Sequence, residues 1–101
     1  MNIPLQVTFH GIAHSDALEA AIRQRTEKLA RFHPGITGCR AVVELTGRHK
    51  TRGRQYVVRI ELKVPGMVIV VNHDHDEDAL VAVREAFDAA TRKLDEAFAS
   101  P

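Results

Sequence analysis

The chain has 101 residues, 45% of them hydrophobic and 27% charged, with 14 basic against 13 acidic side chains for a net charge of +1. That composition excludes a disordered polymer, and the length supports one domain spanning residues 1–101 with one core, so any working surface should be shallow. No apolar run approaches the roughly 18 to 20 residues of a membrane-crossing helix, Met1-Asn2-Ile3-Pro4 lacks the pattern of a signal peptide, and the single cysteine, Cys39, has no intrachain partner; no membrane association is expected, and the expected address is cytoplasmic.

Leu5, Val7 and Phe9 alternate with Gln6, Thr8 and His10, which predicts a short strand ending at Gly11. Ser15-Asp16 then supplies a helix cap, and Glu19, three residues after Asp16, completes the spacing of a capping box. The helix should run from about Ala17 to Phe32, because Pro34-Gly35 cannot continue it. Leu18, Ala21, Ile22, Leu29 and Phe32 share one apolar face of that helix, while Arg23, Glu27 and Arg31 form a ladder opposite. Arg25 falls between Leu18 and Leu29. Its guanidinium either lies along the core edge and reaches water or is a cation aimed at a ligand.

Gly38 to Thr46 reads as a second strand, with Cys39, Ala41, Val43 and Leu45 on one face. Tyr56, Val58, Ile60, Leu62 and Val64 then alternate with Val57, Arg59, Glu61 and Lys63, Pro65-Gly66 turns the chain, and Met67 to Val71 is an apolar, β-branched run: a hairpin. Asp74 or Asp76 should cap a last helix from about Glu77 to Phe98, striped by Leu80, Val83, Phe87, Ala90, Leu94 and Phe98. The order is β-α-β-β-β-α. A right-handed crossover through the first helix lets the first strand lie parallel to the second, and the rest can form a meander. The expected fold is α+β, a two-layer sandwich with a four-stranded mixed sheet and both helices on one face.

The basic segment between the second and third strands carries Arg48, His49, Lys50, Arg52 and Arg54 with no acid among them. Its bland reading is a solvated connection. Against that, a tethered acid-free loop with Gly47 and Gly53 brings several cations within reach of successive phosphates. With one tyrosine, Tyr56, and no tryptophan, an aromatic platform for bases is poorly supported, so the expected target is structured RNA read by shape and phosphate. Asn72-His73-Asp74-His75-Asp76-Glu77-Asp78 has donors suited to zinc or manganese, but no spacing that pre-orients them, and acids at a helix start are explained by the helix dipole. No nucleophile–base spacing, phosphate cradle or paired-cysteine motif is present, so neither catalysis, a small-molecule substrate, a metal nor a cofactor is expected. Cys39 reads as a small buried apolar residue.

The element order, the first-helix run ALEAAIRQRTEKLARF, the hairpin YVVRIELKVPGMVIVV and the last-helix run DALVAVREAFDAATRKLDEAF together resemble the ribosome hibernation promoting factor and ribosome-associated translation inhibitor family, also called sigma-54 modulation proteins, in a short form. The resemblance covers almost the whole chain and lies in pattern and order more than in one motif. It implies a monomeric stress factor that binds the small ribosomal subunit and its 16S-type rRNA in the decoding channel and inhibits translation. It implies RNA contacts by Arg25 and Lys28, which fall on the family's basic first-helix positions. The family's Asp before the last helix falls on Asp78, with Leu80 where an aromatic is usual. Ala89 stands where many members have lysine, with Arg92 and Lys93 a turn later as the cations available there. The second domain by which longer members pair ribosomes has no counterpart. A general structured-RNA-binding module of double-stranded-RNA-binding type is the alternative, although its last helix normally begins basic, whereas Asp74 to Asp78 is acidic.

Overall fold

The structure, a computed structural model, describes residues 3–46, 55–75 and 78–99. Its elements are β1 (Leu5–His10), α1 (Asp16–Phe32), β2 (Gly38–Thr46), β3 (Gln55–Val64), β4 (Met67–His75) and α2 (Ala79–Ala97). One sheet has the order β1-β2-β3-β4, with β1 parallel to β2 and the other neighbours antiparallel. This is the expected α+β sandwich.

The register explains the core. Leu5, Cys39, Leu62 and Ile69 stand in one row across the sheet, and Val7, Ala41, Ile60 and Val71 in the next. Because side chains alternate between faces, both rows point to the side covered by the helices. Ile22 of α1 and Val83, Ala86, Ala90 and Leu94 of α2 lose all solvent contact against them. Each large aliphatic buried this completely contributes about 1.5–3 kcal/mol of transfer free energy. The other sheet face stays open to water and carries Arg40, Glu44, Arg59 and Lys63.

Several local expectations are corrected. Ser15 alone caps α1: its Oγ accepts from the Leu18 N–H at 3.2 Å. Asp16 and Glu19 make no box, since both turn to His14, whose Nε2 lies 2.9 and 3.1 Å from their carboxylates. Within α1, the buried position beside Ile22 belongs to Thr26, which donates to the Ile22 carbonyl at 2.8 Å and so buries its hydroxyl at little cost. Phe32, expected in the core, is 71% exposed.

At the other end, β4 runs on past Val71 to His75, because Tyr56 to Arg59 of β3 offer the backbone partners that keep the ladder going. His73 and Asp74 are therefore strand residues. α2 begins at Ala79 rather than Glu77, capped by Asp78, whose Oδ1 accepts from the Leu80 and Val81 N–H groups at 2.9 and 3.4 Å. Asp76 and Glu77 lie outside the described residues. Leu80 and Phe98, expected in the buried stripe, stand at the two ends of α2 and are each 52% exposed.

Candidate nucleic-acid interface

The helices lie side by side on the sheet and leave a cleft of about 700 Å³ between their C-terminal halves. Its α1 wall is built from Arg25, Lys28, Leu29 and Phe32, spaced i, i+3, i+4 and i+7 and so stacked along one face of a helix. Its α2 wall repeats the same spacing with Asp88, Thr91, Arg92 and Asp95. Leu29 and Phe87 are buried there and give the cleft an apolar floor. His33, whose backbone N–H closes α1 onto the Leu29 carbonyl, also reaches α2: its Nε2 lies 3.3 Å from Asp95 Oδ1.

Arg25, Lys28 and Arg92 thus meet from two helices that are far apart in sequence. Arg25 is half-buried at the edge of the core, and the other two are exposed. Among the described residues, none of these three cations has a carboxylate partner. The open sheet face differs. There Arg59 donates to Glu61 at 2.9 Å, and this bond, with the nearby charges of Arg59, Arg40 and Lys63, holds the Glu61 carboxyl below its usual range. On the sheet face Arg59 is thus neutralised by its own ion pair, whereas the three cations of the cleft share it with Asp88 and Asp95 without pairing to either.

The remaining sequence candidates lie elsewhere. Lys93 is one position beyond Arg92 and points to the β4 edge, where its Nζ donates to the Val70 carbonyl at 2.8 Å. Arg48, His49, Lys50, Arg52 and Arg54 lie outside the described residues. The strand ends that bracket them, Thr46 and Gln55, are paired at the end of the sheet remote from the Pro65-Gly66 turn. His73 forms a strand-to-helix tie, its Nε2 lying 2.7 Å from Glu85 Oε1 on α2. Cys39 is buried, its thiol pushed up to about 11 by desolvation and held back slightly by the Thr26 hydroxyl, 3.7 Å from Sγ. A thiol so poorly ionised is a poor nucleophile.

Sequence reasoning missed Phe32, His33, Asp88, Thr91 and Asp95 as members of this site. For the α2 group the signal was present, since 88, 91, 92 and 95 form a polar strip flanking the stripe of Phe87, Ala90 and Leu94. Phe32 gave no such signal, because an apolar residue in phase with a buried stripe reads as core even where, as here, the last residue of the helix is left exposed.

A four-stranded mixed sheet with two helices on one face, and between them a cleft that brings Arg25, Lys28 and Arg92 together, defines a small two-layer α+β protein. Residues 5–97 match the family described as sigma 54 modulation protein / S30EA ribosomal protein, and the chain belongs to it. Two solved structures are similar in fold. One is a ribosomal subunit interface protein from Coxiella burnetii, with a TM-score of 0.80 and 17% identity over 97% of this chain and 100% of that one. The other is the N-terminal domain of Protein Y from Thermus thermophilus, with a TM-score of 0.76 and 20% identity over 95% and 98%. No curated protein sequence matches the chain significantly.

Proposed function

We propose that the protein binds the small ribosomal subunit as a monomer, in the channel where messenger and transfer RNA meet, and lowers translation by occupying it. The observation that carries this reading is the convergence on one cleft of Arg25, Lys28 and Arg92, three cations with no carboxylate partner among the described residues, in a chain of a ribosome-associated family. The two packed helices fix the backbone positions from which these cations extend, so no chain segment has to be ordered for them to meet phosphate. The acid-free segment with Arg48, His49, Lys50, Arg52 and Arg54 adds further phosphate contacts, and Lys93 extends the surface when it leaves the Val70 carbonyl.

Purified protein added to a cell-free translation system should lower output, and messenger or initiator transfer RNA bound beforehand should protect against it. Equal inhibition of empty and pre-filled subunits contradicts occlusion of the channel. Sedimentation with neither subunit removes the ribosomal role and leaves a general structured-RNA-binding module in its place.

A further inference from the structure

Phe32 is the most exposed of the large hydrophobic side chains among the described residues, and the only one of the five most exposed that lines the cleft. It stands on the α1 wall in phase with Arg25 and Lys28, and Arg92 belongs to the α2 wall of the same cleft. Two carboxylates share the space: Asp95, engaged by His33, and Asp88, exposed and without an ion-pair partner among the described residues. That mixture does not suit the backbone of an RNA duplex, whose row of phosphates would be repelled by Asp88 and would leave a phenyl ring facing water. It suits one unpaired nucleotide, which presents its charges, its π-face and its N–H donors in different directions.

We propose that the cleft takes an unpaired RNA nucleotide, with the base stacked on Phe32, a base N–H donated to the Asp88 carboxylate, and the flanking phosphates held by Arg25, Lys28 and Arg92. This deepens the RNA-binding reading above and rests on it for the biological target, not for the chemistry. Stacking tolerates any base, because every base has a π-face, so Phe32 supplies affinity for unpaired over paired RNA rather than sequence preference. Removing the ring removes no charge and leaves the count of neutralised phosphates unchanged.

The chain contains no tryptophan, so Phe32→Trp places a single reporter at the stacking position. Binding of a labelled short single-stranded RNA of mixed sequence, and of the same sequence as a duplex, is measured by anisotropy for the wild type and for Phe32→Ala and Phe32→Trp. Phe32→Ala should weaken single-strand binding by about tenfold, the scale of one lost base–aromatic stack. It should leave duplex binding and the salt dependence unchanged. Phe32→Trp should bind the single strand as the wild type does, with its indole emission quenched. The inference is overturned if the wild type does not bind the single strand, if Phe32→Ala weakens single strand and duplex equally or neither, or if the indole emission of Phe32→Trp is unchanged at saturating RNA. Sedimentation of the wild type with ribosomal subunits separates the two readings: subunit binding that survives Phe32→Ala with no effect on single-strand affinity defeats the stacking site alone, whereas quenching without subunit binding defeats the ribosomal role alone.

Discussion

Arg25 shows how one side chain can belong to a core edge and to the wall of an open cleft. Its stem lies half-buried beside Leu29, while its charged head lines the cleft without a carboxylate partner among the described residues. Arg25→Ala should therefore change thermal stability by less than about 1 kcal/mol and weaken RNA binding; a loss above roughly 2 kcal/mol in denaturant unfolding would make it a packing residue instead. Glu61 offers a converse case, a charge whose partners are all internal. Its folded-state carboxyl is held low, first by the hydrogen bond from Arg59, so its stabilising contribution is complete above the ordinary glutamate value and is lost as pH falls through the lowered folded one. In Arg59→Ala the Glu61 midpoint, followed by carboxyl NMR titration, should move upward; no movement would mean that Arg40 and Lys63 suffice. The periodicity placed Arg25 at the core margin correctly, but helix phase could not distinguish it from Thr26, which occupies the buried position, because only the approach of Cys39 from the sheet decides which of two adjacent residues turns inward.

The elements were more legible than the side chains on them. Alternation located β1, β2 and β3, since a sheet with one wet face leaves a period of two in the sequence, and the unbroken β-branched run after Pro65-Gly66 located β4. What it could not give was the length of β4, because Asn72, His73, Asp74 and His75 carry no apolar alternation and are held in the sheet by pairing with β3. The turns make a sharper test. Gly11 and Gly66 both have positive φ, 76° and 82°, but a Cβ on Gly11 would sit 2.8 Å from the Leu45 carbonyl oxygen, whereas Gly66 has nothing within 4 Å. Gly66→Ala should cost about 1 kcal/mol from the left-handed backbone alone. Gly11→Ala should cost more, because the junction of β1 with β2 must also shift. Equal midpoints of thermal unfolding for the two variants would contradict the close approach.

At the scale of the molecule, the fold brings the C-terminal halves of α1 and α2 together at one end of the sheet, and this creates the one feature that the sequence concealed most completely. Arg92 is separated from Arg25 and Lys28 by more than half the chain, and their meeting depends on both helices packing on the same face in the observed order of strands. The proposed function requires this cleft to be the ribosomal contact surface. It is tested most directly by sedimentation of the wild type and an Arg25→Ala, Lys28→Ala, Arg92→Ala triple variant with separated ribosomal subunits over a series of salt concentrations. The wild type should travel with the small subunit. The triple variant, folded by circular dichroism, should lose most of that binding and flatten the log–log salt slope by about two to three units, as expected for three lost phosphate contacts. A triple variant that binds the small subunit as tightly as the wild type, with the same salt slope, would contradict the account.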